Sequence, residues 1–220
     1  EADISLSDNI NCFLGNNGMG KTNLLDAIYY LSFCKSFYNI SDSQNIKHGE
    51  EYFMIRGSYR NSANNEIAEI NCGVKLKQKK TFKRDKKEYE RLSEHIGYIP
   101  LVIVSPEDSE LVKEGSEIRR KFIDQTLSQF NREYLAAVIA YNKALTTRNT
   151  MLRRGDKEPT LYEVIEAQME YAANCVYKYR KDFINDFVEV FNNFYQQICG
   201  GGERVSLSYV THMNEGELSK

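Results

Sequence analysis

The chain has 220 residues, of which 41% are hydrophobic, and a formal net charge of −2. This length and apolar content suit one large domain or two small ones with a real core. The near-neutral charge excludes a strong overall attraction to nucleic acid, so any such attraction must be local. No apolar run approaches the ~20 residues of a membrane helix. The five scattered cysteines form no C-x-x-C pair, which argues against zinc or a disulfide framework and favours reduced cytosol.

The first motif in the chain is a phosphate-binding loop, because residues 15–22 read GNNGMGKT and match G-x-x-x-x-G-K-[ST]. The apolar run 11–14 before it predicts a buried strand, and apolar residues at helical spacing follow it. Strand, glycine loop and helix in this order predict a site where backbone N–H groups bind the phosphates of ATP. Lys21 is expected on the β- and γ-phosphates and the Thr22 hydroxyl on Mg²⁺. The predicted ATP-binding residues are Gly15, Asn16, Asn17, Gly18, Met19, Gly20, Lys21 and Thr22.

Downstream of the loop the pattern changes to strands. Residues 52–77 alternate apolar with other residues around a polar stretch at 61–65, which predicts a hairpin. Residues 99–104 predict a third, apolar strand. This mixture is typical of the two-sheet head of ABC-type ATPases.

The second half of the chain has helical periodicity. Apolar spacing from residue 118 to about 152 predicts one long helix, and the sequence GDKEP at 155–159 predicts a break. A second long helix follows and ends at the glycines 200–202. Its apolar stripe is rich in aromatic residues and wider than a coiled-coil seam, so a packed helical lobe is predicted.

One dense basic stretch interrupts the near-neutral chain. Residues 75–91 hold nine Lys/Arg and three Asp/Glu, with Phe82 and Tyr89 among them. The pattern predicts an arm that contacts DNA phosphates without reading base sequence. The alternative is a solvated hairpin whose lysines keep a strand edge soluble. The candidate DNA contacts are Lys79, Lys80, Lys83 and Lys87.

Several short motifs accompany the loop and together resemble the RecF family of bacterial recombination and repair ATPases. They are N-G-x-G-K-T-N at 17–23, KSF at 35–37, FKRDKKEYER at 82–91, SPED at 105–108, RRKFID at 119–124 and YNKAL at 141–145. The resemblance implies an α/β fold, a P-loop NTPase with an ABC-type ATPase head and a helical lobe. It divides the chain into part of the head (1–115), the helical lobe (116–200) and a return strand toward the head (201–220).

The resemblance also implies a function. It indicates a cytoplasmic, ATP-dependent DNA-binding protein of DNA replication and recombinational repair, acting in the SOS response to DNA damage. The implied partners are single-stranded or gapped duplex DNA, a second copy in an ATP-dependent homodimer that clamps DNA, and RecO and RecR in loading recombinase at gaps. A slow DNA-stimulated ATPase is implied for the full-length protein.

No catalytic residue can be assigned in this chain. The apolar run 101–104 is followed by Ser105 where a Walker B strand needs Asp, and the glycines 200–202 do not open a helix as a signature loop does. In RecF these motifs lie nearer the C-terminus, so we expect a fragment that binds MgATP but hydrolyses it poorly. Glu107 and Asp108 are candidate nucleotide-sensing residues near the γ-phosphate. The alternative is that Asp108 or Ser105 only caps the next helix.

Two other classes of protein remain open. A subunit of an ABC-type transport ATPase would share the head, but it normally has a Gln at the end of its lid-facing strand. Here Val104 is followed by Ser105-Pro106-Glu107, as in RecF. A purely structural head with an inactive P-loop would not need an intact Lys21-Thr22.

Overall fold

The computed structural model describes residues 2–113 and 115–211. Its contacts divide the chain after Ile103 into an N-terminal and a C-terminal unit. The N-terminal unit holds one helix, α1 (Lys21–Phe33), and a four-stranded antiparallel sheet in the order β1-β2-β3-β4. The strands are β1 (Tyr52–Arg60), β2 (Ile67–Lys75), β3 (Thr81–Arg84) and β4 (Lys87–Glu88), with short 3₁₀ turns at Asp42–Asn45 and Leu92–Glu94.

The predicted hairpin is confirmed as β1 and β2. Their register runs from Tyr52 opposite Lys75 to Arg60 opposite Ile67. Alternation along β2 buries every second side chain, because successive side chains of a strand point to opposite faces. One face of the sheet therefore packs on α1 and forms the core of the unit. The buried residues of this core are Tyr30, Leu31, Cys34, Ile70, Cys72, Val74 and Phe82.

The strands predicted over 11–14 and 99–104 are wrong for the described structure, in which neither segment pairs with a strand. Leu14 is 93% exposed and Val102 is 82% exposed, whereas Ile99 packs against the core of the N-terminal unit. A strand needs a neighbour that completes its hydrogen bonds, and apolar composition alone does not supply one.

The C-terminal unit is helical. After a 3₁₀ turn at Pro106–Ser109 and one turn of helix, α2 (Glu110–Lys113), come α3 (Ser116–Phe130), α4 (Arg132–Arg154) and α5 (Pro159–Cys199). The single helix predicted from 118 to 152 is wrong: it is broken at Asn131, whose backbone is extended and whose side chain accepts the Tyr134 N–H at 2.9 Å. Asn in this position caps a new helix.

The other helix boundaries agree with the prediction. Gly155 ends α4 in the left-handed region, Pro159 opens α5, and Gly200 ends it. Helices α4 and α5 run antiparallel: Glu133 accepts the Tyr179 hydroxyl at 2.5 Å, and Glu166 accepts from Arg148 at 2.7 Å.

The chain after α5 turns back along that helix. The Asn192 side chain donates to the Val205 carbonyl and accepts from the Val205 N–H, both at 2.8 Å. The Tyr209 ring lies 5.8 Å from that of Tyr177. Residues 201–211 contain no strand, and 212–220, the rest of the predicted return strand, lie outside the described residues.

Candidate nucleotide-binding site

The loop at residues 15–22 enters α1 through two glycines with left-handed backbones. Gly18 has a φ of 82° and Gly20 one of 89°, values that glycine alone adopts without strain. Gly20 is the N-cap of α1, and its carbonyl accepts the Leu24 N–H at 3.1 Å. The first turn of α1 contains no acidic residue. Nothing in that turn therefore competes with an anion for the positive end of the helix.

Lys21 lies over the loop rather than in the core. Its Nζ donates to the carbonyl of Gly15 at 2.7 Å and to that of Asn16 at 2.8 Å. Both acceptors belong to the loop that is predicted to bind phosphate, so the structure brings the ammonium and the loop together. Thr22 follows Lys21 at the start of α1, and its side chain is exposed.

The helix behind the loop is firmly anchored. Tyr29, Tyr30 and Leu31 in its C-terminal half are buried, and the Ser32 hydroxyl donates to the Ile99 carbonyl at 2.6 Å. The loop therefore stands on an element that is packed against the sheet. Such support reduces the entropy lost when a ligand orders the site.

A buried carboxylate that the sequence reasoning missed holds the chain after α1. Asp26 accepts the Ser36 hydroxyl at 2.6 Å and the Phe37 N–H at 2.7 Å. Asp26 is about 7.5 Å along the helix axis from Lys21, at 1.5 Å per residue. The KSF motif therefore folds back toward the P-loop end of α1. A carboxylate inside the apolar run LLDAIYY was the signal available in the sequence.

The four candidate DNA contacts do not share a surface. Lys83 is opposite Asn71 and Glu88, on the face of the sheet away from α1. Lys87 is opposite Arg84, which is opposite the core residue Ile70, so it belongs to the other face. Lys79 is exposed between β2 and β3.

Lys80 is held inside the N-terminal unit. Its Nζ donates to Asp42 Oδ2 at 2.8 Å, to the Tyr30 hydroxyl at 2.9 Å and to the Cys34 carbonyl at 2.6 Å. The Lys80 side chain is only 14% exposed. Burial of Tyr30, together with the hydrogen bond that the Tyr30 hydroxyl donates to Asp42, raises the pKa of Tyr30. Because its ammonium is already engaged, Lys80 is withdrawn from the candidate DNA contacts.

Asp108 caps its own turn. Its Oδ2 accepts the Ser105 N–H at 2.6 Å, and its N–H donates to the Ser105 carbonyl at 3.0 Å. The Glu107 side chain lies outside what the structure describes. The sensing role of Glu107 and Asp108 therefore remains a prediction.

The RRKFID motif contributes a structural ion pair in the helical unit. Arg180 on α5 donates from Nε to Asp124 Oδ1 at 2.9 Å and from Nη2 to Asp124 Oδ2 at 2.8 Å. The Tyr134 hydroxyl also donates to Asp124. Burial disfavours the charged guanidinium, but its hydrogen bonds and the Asp124 carboxylate outweigh this and raise the pKa of Arg180.

No three His, Cys, Asp or Glu side chains within 2–113 and 115–211 are grouped so that they could hold a metal ion. In the same part of the chain, no helix has both the length and the apolar character needed to cross a bilayer.

A glycine loop with a left-handed N-cap, its lysine over the loop carbonyls, and a helix packed on an antiparallel sheet define a P-loop ATPase head of the ABC type. The family described as AAA domain matches residues 1–203, and the chain belongs to it. The chain is 48% identical to the DNA replication and repair protein RecF of Parabacteroides distasonis, covering 100% of this chain and 60% of that protein. It is 51% identical to RecF of Phocaeicola vulgatus, over 99% of this chain and 59% of that protein.

Solved structures agree with these relatives. The structure of the recombination mediator protein RecF with ATP, from the RecFOR pathway, superposes with a TM-score of 0.78 at 31% identity, over 84% of this chain and 50% of that one. The structure of RecF-ATPrS gives the same TM-score at 32% identity, over 84% of this chain and 51% of the RecF-ATPrS chain. The predicted resemblance to RecF is confirmed, and the chain spans about 60% of the length of its curated relatives.

Proposed function

We propose that this chain is the nucleotide-binding part of an ATP-dependent DNA-binding protein of DNA replication and recombinational repair. The observation that carries the proposal is the P-loop, with Lys21 Nζ over the carbonyls of Gly15 and Asn16 and an N-terminus of α1 free of acidic residues. The names of the relatives and the ATP in a solved RecF structure support the same conclusion.

The loop and the start of α1 would bind the triphosphate. Lys21 would exchange its carbonyl acceptors for the more negative phosphate oxygens, because hydrogen bonds between charged partners are about twice as strong as neutral ones. The exposed Thr22 hydroxyl fits a Mg²⁺ ligand, since Mg²⁺ is usually held by one or two protein oxygens, substrate phosphates and water. Bound Mg²⁺ would neutralise phosphate charge. Of this chain's residues, only Thr22 is proposed to hold it.

The finer parts of the function follow from the family. We propose a nucleotide-controlled homodimer that clamps single-stranded or gapped duplex DNA in the cytoplasm, with RecO and RecR as partners and recombinase loading as the output. The domain division at 115 and 200 and nucleotide sensing by Glu107 and Asp108 are proposals of the same kind. Hydrolysis is expected to be slow and stimulated by DNA.

Lys21→Ala tests the nucleotide site in the full chain, with Lys47→Ala, an exposed lysine elsewhere in the N-terminal unit, as the matched control. Losing charge-assisted hydrogen bonds of about 1.5–3 kcal/mol should weaken binding of a fluorescent ATP analogue roughly 10- to 100-fold. The melting temperature should move by less than about 3 °C, because Lys21 contacts only the exposed loop. ATP-dependent retention on DNA should be lost with it. Unchanged ATP affinity in Lys21→Ala, or an equal loss in Lys47→Ala, would contradict the proposal.

A further inference from the structure

The antiparallel sheet has a second face, which is turned away from α1. In β1 the residues at even positions from Tyr52 to Arg60 are exposed, while those between them are half-buried. In β2 the odd positions from Ile67 to Lys75 lie on the same side, because each is opposite one of those β1 residues. Thr81 and Lys83 continue this face into β3. We call it the outer face.

The strand register assembles a polar row across the outer face. Arg56 is opposite Asn71, and Asn71 is opposite Lys83. Adjacent strands are about 4.8 Å apart, so Arg56 and Lys83 are separated by roughly 10 Å across the sheet. At one end of β1, Tyr52 is opposite Lys75. The exposed aromatic ring therefore has a cationic side chain as its direct cross-strand neighbour.

The centre of the outer face contains one residue without a side chain. Gly73 lies there, opposite Met54 and Thr81. A Cβ at Gly73 would be 2.9 Å from the Thr81 Oγ1. Glycine thus lets the two strands keep their side chains close at this point. This position lies between the row that contains Arg56 and the Tyr52–Lys75 pair, beside the exposed side chain of Met54.

The outer face has more cations than carboxylates. Its charged residues are Arg56, Arg60, Lys75 and Lys83 against Glu69 and Glu88. Lys83 is 4.0 Å from Glu88, and Lys75 is 3.8 Å from Glu51, with the four side chains about half exposed or more. Such exposed pairs contribute little and are screened by salt. Their lysines can therefore exchange a carboxylate for a phosphate at small cost.

We propose that the outer face of the sheet is the surface that contacts DNA, with Arg56, Lys75 and Lys83 on backbone phosphates. The inference rests on the proposed DNA-binding function and places it on one surface. Tyr52, 61% exposed, and Met54, 58% exposed, lie among these cations. An exposed sheet face with an aromatic ring among cations is suited to unpaired bases stacked on the ring and a backbone held by charge. The basic run 75–91 contributes through Lys75 and Lys83, whose side chains the strand alternation sends to this face.

Arg56→Gln/Lys83→Gln in the full chain tests the proposal. The control is Lys47→Gln/Lys157→Gln, which removes the same charge from exposed positions outside the sheet. Affinity for a fluorescent single-stranded oligonucleotide is measured by anisotropy in the presence of ATP over a salt series. Two lost phosphate contacts should reduce the slope of log affinity against log salt by about 1.4. The control should keep the slope of the unaltered chain, and thermal melting should show that both variants are folded.

The outcomes distinguish a failure of the proposed DNA-binding function from a failure of the outer-face assignment. If the unaltered chain shows no ATP-dependent DNA binding, the proposed function itself is overturned. If it binds DNA and the Arg56→Gln/Lys83→Gln variant keeps its slope, DNA contacts another surface and only the present inference is overturned. An equal change in the control would assign the effect to overall charge and would also overturn it. A further loss of single-strand affinity in Tyr52→Leu, with duplex affinity unchanged, is expected from base stacking.

Discussion

Two lysines three residues apart in the basic run should behave in opposite ways when each is replaced by Met. Lys80 donates to Asp42, Tyr30 and the Cys34 carbonyl from a side chain that is 14% exposed. The Lys83 ammonium is 4.0 Å from the Glu88 carboxylate, and the Lys83 side chain is 45% exposed. Met keeps most of the aliphatic stem and removes the ammonium. The comparison therefore isolates the charge and its hydrogen bonds.

The expected loss of stability in Lys80→Met depends on how well Asp42 is stabilised without the ammonium. Breaking a fully buried ion pair costs about 3–5 kcal/mol. Asp42 is 35% exposed and still accepts the Tyr30 hydroxyl, so water and tyrosine offset part of the loss. We expect a loss of about 2 kcal/mol in the free energy of unfolding for Lys80→Met, and less than about 0.5 kcal/mol for Lys83→Met. For a unit of about 100 residues, the larger loss lowers the melting temperature by roughly 10 °C.

Urea denaturation and thermal melting of the full chain, followed by circular dichroism, measure both variants. DNA affinity is measured beside them at a temperature where both are folded. Lys80→Met should lower the stability and leave the salt dependence of DNA affinity unchanged. Lys83→Met should leave the stability nearly unchanged and reduce that salt dependence. Equal melting temperatures for the two variants would refute the assignment of Lys80 to the interior. A reduced salt slope in Lys80→Met would refute its withdrawal from the DNA contacts.

Three further changes test other parts of the structure. Asp124→Asn should cost about 2–3 kcal/mol in urea denaturation, because it leaves the Arg180 charge largely buried without its carboxylate, and an unchanged midpoint would contradict this. Asn192→Ala should speed limited proteolysis after α5, since it frees the backbone of the returning segment, whereas an unchanged cleavage rate would show that the segment is held elsewhere. Burial raises the pKa of Cys34 and that of Cys72 from 9.0 to about 12. The stability from these neutral thiols is full below pH 9 and is lost as the pH rises toward 12; the urea midpoint should fall over that range, less so in Cys72→Val, and a flat profile would count against it.

The sequence by itself determined the features whose physics is local. Eight consecutive residues carry the phosphate-loop pattern, because the groups expected to bind phosphate are their own backbone N–H groups and the start of the helix that follows. Helical periodicity predicted α5 with both ends, since Pro159 and the glycine after Cys199 act on their immediate neighbours. Alternation predicted the β1–β2 hairpin for the same reason.

Local patterns were misleading where the outcome depended on a partner. Residues 11–14 and 99–104 have the composition of strands, but neither segment forms a strand in the described residues. The helical spacing that continues past Asn131 did not reveal the break, because apolar periodicity is the same for one bent path and for two capped helices.

Only the tertiary structure decided what each lysine of the basic run does. The ion pair of Lys80 joins residues 38 positions apart, and that of Arg180 with Asp124 joins residues 56 apart. Strand register sends Lys83 to the outer face and Lys87 to the other. The sequence of a charged run determines its net charge. The face of the sheet on which each charged side chain lies depends on the alternation of side chains along the strand and on pairing with strands distant in sequence. For that reason the nucleotide loop could be recognised from consecutive residues. Arg56, Asn71 and Lys83 lie on one surface only because three strands are paired.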